Sequence, residues 1–464
     1  MRLGVDLEGK RLLVVGLART GVVVSLLCAA YGARVTATDE KPESALPEVA
    51  AKLRAAGVAL ELGAHNPETF VNQDLIIVSP GVPARMPPLQ LARNRGIPVW
   101  SEIELAWRLM RGKLVAITGS NGKTTTTALV GHILQSAKIP VLVGGNIGTP
   151  LLAKVEASSD STVTVAEVSS FQLETIEAFR PDVGVLLNLT PDHIDRHGSF
   201  DEYAHAKQRL FENMLDRDAA VLNADDPEVA RRGPAHGQTF WFSRQKRLAA
   251  GTFVRDDQIL FRREGSEDVL MRPGDIPLRG EHNLENVLAA STAAILAGAP
   301  TGAIAAAVRT FPGVEHRLEY VTEINGVAFY NDSKATNVDA TLKAIEAFPG
   351  SLFVILGGKD KGSPYVPLRE PLREKAKRVL LIGASADKIR EELDGAVAME
   401  YAGTIDRATA LAFEQAQPGD TVLLAPACSS FDQFENFEQR GRTFKEIVAR
   451  LAAQHTAENS TRKA

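Results

Sequence analysis

Lys123 and Thr124 close the run Thr118-Gly-Ser-Asn-Gly-Lys-Thr-Thr125, which follows the short apolar stretch Lys113–Ile117 and leads into Ala128–Leu134. A glycine-rich turn between a strand and a helix collects backbone N–H groups at the positive end of the helix, where phosphate binds. Gly119 and Gly122 let the backbone curl, and Ser120, Asn121 and Thr125 complete the turn. Lys123 can reach the terminal phosphates, and the Thr124 hydroxyl can ligate magnesium. The usual phosphate loop, G-x-x-x-x-G-K-[ST], begins with a glycine where this chain has Ile117. The strict pattern therefore fails while the strand–loop–helix context holds, and a glycine-rich turn capped by threonines is the competing reading.

Two further groups suit a nucleotide and its metal. Glu167 follows the apolar run Ser161–Ala166, and His193 lies in Thr190-Pro-Asp-His-Ile-Asp195, just past the run Val183–Leu189. Both are expected at the sheet edge that carries Thr124. A carboxylate is a usual magnesium ligand and an imidazole a less usual one. Each alone could be a loop residue bonded to backbone, and a lone loop histidine is more often that than a ligand. Ser199-Phe-Asp-Glu202 has the form of a capping box, so a helix is expected to start there with Lys207 in its second turn. A solvated lysine is the ordinary reading of that position.

Nearer the N-terminus, Gly16-Leu-Ala-Arg-Thr-Gly21 is a dinucleotide fingerprint with alanine at its middle glycine, and Asp39 stands where the ribose acid belongs. The pattern allows a bare βα turn, a nicotinamide dinucleotide, or a nucleotide diphosphate of another kind. Ser79-Pro-Gly-Val82 marks a turn at the same edge.

The elements that would position these groups read as an α/β fold. Short runs, mostly continuously apolar, alternate with helical patterns: Arg11–Leu17, Ala33–Thr38, Asp74–Ser79, Lys113–Thr118, Ser161–Val168, Val183–Leu189, Ala219–Leu222, Val327–Tyr330, Leu352–Leu356, Arg378–Ile382 and Thr421–Leu424. Such runs suit parallel strands covered on both faces, with ligands at their carboxyl ends. The 464 residues suffice for about three domains. The expected blocks are a Rossmann-like domain over 1–101, a central phosphate-loop domain over 102–313 and a C-terminal Rossmann-like α/β domain over 314–464. Phe240–Leu278 reads as a small antiparallel insertion or edge, and the polar tail from Gln454 is expected to fray.

Hydrophobic residues make up 45% and charged residues 23%, and the net charge is −5. That is an ordinary soluble composition without the basic excess of a nucleic-acid binder. The two cysteines, Cys28 and Cys428, make neither a disulfide framework nor a zinc set, which points to a reducing cytoplasm. No signal peptide and no membrane span are expected.

Six motifs occur in order: TGSNGKTTT, GGNIGTP (144–150), EVSSFQLE (167–174), NLTPDHIDRH (188–197), GEHNLEN (280–286) and NDSKATN (331–337). Together they resemble the Mur ligases, the ATP-dependent amino-acid ligases of peptidoglycan precursor synthesis, over essentially the whole chain. The string APACSSFDQFENFEQRGRTF (425–444) is similar to the member that adds D-glutamate to UDP-N-acetylmuramoyl-L-alanine. The resemblance implies that the first block binds the UDP end of the substrate, with Arg19, Thr20, Asp39, Ser79 and Gly81 at the nucleotide. It implies that Asn146 lies near the muramoyl-alanine end, that Lys123 and Thr124 serve ATP and magnesium, and that Glu167 and His193 are magnesium ligands. Lys207 matches a lysine that is carbamylated in the family, which would supply an anion for a second ion. At the start of a helix that anion would be favoured by the dipole. Asn283 and Asn286 match adenine contacts, and Arg317 and Asp332 match residues around the nucleotide. Lys334, Thr336 and Lys361 match the amino-acid end, and Ser430 and Phe437 match positions that hold the D-glutamate side chain. Phe431 stands where leucine is common. Cys428 is read as packing. A monomer that closes its third domain over ATP is the implied working form.

The rivals are another Mur-type or folylpolyglutamate-type ligase, a nucleotide sensor without turnover, and a nicotinamide-dependent dehydrogenase. The chain lacks the D-N-P-R string of the diaminopimelate adder and has Asn121 where the alanine adder has a histidine. A dehydrogenase leaves Gly119–Thr124 without a purpose.

Overall fold

The computed structural model describes residues 4–146, 148–278 and 280–462. Ile147 of the 144–150 motif, the first three residues and the last two lie outside them. The chain forms two compact units, 1–277 with 282–311, and 278–281 with 312–464. No helix among the described residues is long and apolar enough to cross a membrane.

The first unit holds two sheets. One comprises β1 (Arg11–Val15), β2 (Arg34–Asp39), β3 (Ala59–Leu62), β4 (Leu75–Val78) and β5 (Val99–Ser101), in the order β3-β2-β1-β4-β5 and parallel throughout. The other comprises β6 (Lys113–Thr118), β7 (Val141–Gly145), β8 (Val163–Glu167), β9 (Val183–Leu186), β10 (Ala219–Asn223), β11 (Gln238–Ser243), β12 (Gly251–Arg255), β13 (Gln258–Arg263) and β14 (Ser266–Met271). Its order is β14-β13-β12-β11-β10-β9-β6-β8-β7. The central strands are buried along nearly their whole length, as continuously apolar parallel strands must be when helices cover both faces.

The second unit carries β15 (Glu319–Ile324), β16 (Val327–Asn331), β17 (Leu352–Gly357), β18 (Ala376–Ile382), β19 (Met399–Gly403) and β20 (Thr421–Leu424), in the order β15-β16-β20-β17-β18-β19. Only β15–β16 is antiparallel. The chain is thus an α/β protein of three domains with mostly parallel sheets.

Three expectations are corrected. The segment 240–278 does form an edge, of the nine-stranded sheet, but it is not wholly antiparallel: β11 and β12 extend the sheet in parallel, and only β12–β13–β14 reverses. The helix that starts after Ser199 ends at Gln208, so Lys207 lies in its last turn. At that end the dipole favours a cation, which removes the dipole argument for a carbamate there. The polar tail is helical through Arg462, as part of Phe437–Arg462.

Candidate active site

The phosphate loop joins β6 to the helix Lys123–Ser136. Gly122 caps that helix at φ 82°, and a Cβ there would stand 2.2 Å from Asn286 Oδ1. Glycine is therefore required twice over, by the left-handed backbone and by the neighbouring amide. The loop is tied to the end of β9: Ser120 N–H donates to Asn188 O at 2.9 Å and Asn121 N–H to Asn188 Oδ1 at 2.8 Å. Lys123 folds back, its Nζ donating to the carbonyls of Gly119 and Ser120 at 2.8 Å each.

β6 and β8 are parallel neighbours with Ile117 opposite Glu167, so the last residue of β8 comes level with the loop. Thr124 Oγ1 donates to Glu167 Oε2 at 2.8 Å, and Asn146 Nδ2 donates to Oε1 at 2.9 Å. Glu167 is buried, and its charge acts on Lys207. A buried carboxylate held by two neutral donors, beside a hydroxyl, is an oxygen set suited to magnesium. Among the described residues no three His, Cys, Asp or Glu side chains converge, so a metal here needs hydroxyl or carbamate oxygen as well.

Lys207 is 2% exposed, with Nζ 3.4 Å from Thr118 Oγ1 and 4.8 Å from the centre of the Tyr203 ring. Burial above all, and then the charge of Lys123, hold its ammonium well below the usual lysine range; Asp192 and Glu167 oppose this more weakly. Tyr203 shares a hydrogen bond of 2.8 Å with Ser120 Oγ, which joins this helix to the phosphate loop. His193 takes the left-handed conformation, φ 51°, before the short helix Ile194–His197, and its ring lies 4.9 Å from that of Phe171. Asn283 and Asn286, one turn apart and both buried, bond to each other at 3.0 Å, and Thr126 Oγ1 donates to Asn286 Oδ1 at 3.3 Å.

In the first sheet, the Asp39 carboxylate accepts from Leu17 N at 2.7 Å and Lys41 N at 2.9 Å, so it holds the glycine loop itself. Ser79 Oγ donates to Gly16 O at 2.7 Å. A Cβ on Gly21 would fall 1.8 Å from Gly16 O, which fixes the last glycine of the motif. Arg19 and Thr20 open the following helix.

In the second unit, Asp332 is buried, and burial pushes its carboxyl up to about 6 against the opposing pull of Arg317, the Leu318 N–H and Lys334. Lys334 Nζ lies 5.9 Å from the Phe437 ring, and Lys361 Nζ donates to Thr336 Oγ1 at 3.3 Å. Ser430 is 2% exposed beside Phe431, which is 66% exposed. Cys428 is buried, its thiol within hydrogen-bond distance of Tyr365 and Ser385 and pushed up by burial, so it packs and does not react.

The structure thus gathers Lys123, Thr124, Glu167, Asn146, Lys207, Asn283 and Asn286 within the first unit, and Lys334 with Phe437, and Thr336 with Lys361, within the second. Sequence reasoning passed over Asn188, Tyr203 and Phe171. Tyr203 stands four residues before Lys207, the spacing that puts two side chains on one helix face, and this signal could have found it.

Comparison with known proteins follows the same lines. The Mur ligase middle domain matches residues 117–294, the glutamate ligase domain of Mur ligases matches 316–428, and the N-terminal domain of MurD-like Mur ligases matches 10–101. The UDP-N-acetylmuramoylalanine--D-glutamate ligase of Koribacter versatilis is 52% identical over 97% of this chain and 99% of its own. The protein of that name from Acidobacterium capsulatum is 54% identical over 96% of this chain and 97% of its own. Among solved structures, the UDP-N-acetylmuramate-alanine ligase of Thermotoga maritima superposes with a TM-score of 0.59 at 19% identity, covering 95% of this chain and 99% of that one. A pseudomurein peptide ligase from Methanothermus fervidus gives 0.57 at 21%, covering 96% and 100%. These last two speak for the fold.

Proposed function

The chain belongs to the Mur ligase family, and on that premise we propose that it joins D-glutamate to UDP-N-acetylmuramoyl-L-alanine with ATP, in peptidoglycan precursor synthesis. The observation that carries the reading is the meeting of Thr124 with Glu167 at the ends of β6 and β8, beside Lys123 folded on its glycine loop, in a chain about half identical to ligases of that name over nearly its full length.

A carboxylate is a poor electrophile, so it must first be phosphorylated. A carboxylate oxygen of the alanine residue attacks the γ-phosphorus in line, the new O–P bond forms, and the bond to the β-phosphate oxygen breaks to release ADP. Lys123, swung from its rest on the loop carbonyls, offsets charge on the γ-phosphoryl oxygens. Magnesium, held by Thr124, Glu167, His193 and Lys207 as its carbamate, would neutralise the rest, and two ions suit that set. The amine of D-glutamate then attacks the acyl carbon, the C–N bond forms, the C–O bond to phosphate breaks, and the amine gives up its proton to solvent or buffer. Holding three substrates in order accounts for much of the rate.

Asn283 and Asn286 present amides for the adenine edge, and Arg317 and Asp332 serve the nucleotide. Arg19, Thr20, Asp39, Ser79 and Gly81 form the UDP end. Lys334, Thr336, Lys361, Ser430 and Phe437 take D-glutamate. One chain carries all these groups, which supports a monomer, and two buried free thiols suit a reducing cytoplasm. The test is phosphate release with ATP, magnesium and UDP-N-acetylmuramoyl-L-alanine, adding one amino acid at a time. Release that requires D-glutamate supports the reading; release with a different amino acid only would overturn the assignment of substrate.

A further inference from the structure

Arg196, in the short helix after His193, reaches the turn that follows β4. Its Nη1 donates to Gly81 O at 3.0 Å, and its Nη2 donates to Val82 O at 2.6 Å and faces Pro80 O at 3.4 Å. The guanidinium lies 4.7 Å from the centre of the Phe171 ring and 3.6 Å from Glu174, and the side chain is 19% exposed. The turn does not need this cation to close, since Val82 N–H already donates to Ser79 O at 3.0 Å. The consequence lies on the opposite face. In a planar trans peptide the C=O and N–H point in opposite directions. With the Pro80 carbonyl turned towards Arg196, the N–H of Gly81 is turned away from it. Among the described residues that N–H finds no acceptor, and Gly81 is exposed. It stands on the same turn whose Ser79 hydroxyl is tied to Gly16 of the glycine loop.

We propose that Arg196 is a positioning residue for the substrate: by gripping three consecutive carbonyls it aims the Gly81 N–H at a diphosphate oxygen of the UDP moiety. This rests on the reading above that the first domain binds a UDP-linked substrate. The Phe171 ring beneath Arg196 also packs on His193, so one short segment sets both the nucleotide turn and a candidate metal ligand.

The test uses the full-length protein and steady-state phosphate release. R196A raises KM for the UDP-linked substrate about ten-fold, the worth of one lost hydrogen bond to a charged group, and leaves KM for ATP and D-glutamate within about two-fold. R196K, which keeps the charge but not the fork, falls between. Gly81→Pro deletes the same N–H without touching Arg196 and raises the same KM. The double variant is no worse than the weaker single one, because both remove one interaction. Should R196A fail to fold, R196K and Gly81→Pro carry the comparison. An unchanged KM in R196A, an equal rise in all three KM values, or additive effects in the double variant would overturn the inference. Wild-type protein that releases no phosphate with the UDP-linked substrate would instead overturn the functional reading.

Discussion

Thr124 and Glu167 come from different β–α units, 43 residues apart, yet their side chains meet at 2.8 Å. The parallel register of β6 and β8 brings this about by setting Ile117 level with Glu167. The residue that spoils the phosphate-loop pattern in the sequence is thus a buried strand residue that aligns the site. The pair is the structural core of the proposed magnesium site.

Glu167→Gln tests that pair. Glutamine keeps the size and can still accept from Thr124, so the fold should hold while the charge is lost. The magnesium concentration for half-maximal activity should rise about 10- to 100-fold. A magnesium titration checks this, and an unchanged requirement would remove Glu167 from the metal set.

Lys207 should carry a carbamate. Burial depresses its pKa, which favours the neutral amine, the form that adds to carbon dioxide. The gain is anionic oxygen close to the charge of Lys123. Protein incubated with 13C-bicarbonate should show one carbamate carbon signal that is absent in Lys207→Ala and lost on acidification. Activity should fall when carbon dioxide is stripped from the buffer.

Much of this was legible in the sequence, and most of the strands that were not share one cause. Many central strands, such as β1, β4, β6, β9 and β17, announce themselves as nearly continuous apolar runs. Outside 240–278, which was read only as a small antiparallel insertion or edge, the strands passed over, β3, β5, β7, β15 and β19, all lie at sheet edges. An edge strand has neighbours on one side only, so it can be short and polar: β5 is three residues, β7 ends in two glycines and β15 carries two glutamates and a threonine in six residues. The site followed the same rule. Lys123, Thr124 and Glu167 were found because their strands were. Lys207 was found as a residue but misplaced on its helix, because nothing in Phe200–Gln208 marks so early an end. That Asp39 is occupied by the amides of Leu17 and Lys41 is a matter of three-dimensional contact that spacing does not encode.

Asp332 makes a prediction about pH. Its folded pKa, about 6, lies above the ordinary 3.8. Between those values the folded state binds more protons than the unfolded state, so stability falls as pH rises from about 4 to about 6 and stays low above that. Asp332→Asn removes the buried charge while its amide oxygen can still accept from Leu318 N–H. At pH 7.5 it should stabilise the protein by about 2–3 kcal/mol, and the gain should vanish near pH 4. Urea unfolding across this range checks the sign, and turnover should be lost in the same variant.

Ser430→Ala should weaken D-glutamate alone. The hydroxyl is buried, and on the proposed assignment it donates to the D-glutamate carboxylate, so KM for D-glutamate should rise about ten-fold with KM for ATP unchanged. Kinetics with each substrate varied in turn would show it.

The most direct measurement follows oxygen. UDP-N-acetylmuramoyl-L-alanine labelled with 18O in its alanine carboxylate is turned over with ATP, magnesium and D-glutamate, and the released phosphate is weighed. An acyl phosphate made at Lys123 and broken by the amine must hand one labelled oxygen to phosphate for every bond formed. Phosphate carrying one 18O per peptide product is the predicted result. Unlabelled phosphate, or phosphate released at the same rate without D-glutamate, would contradict the account.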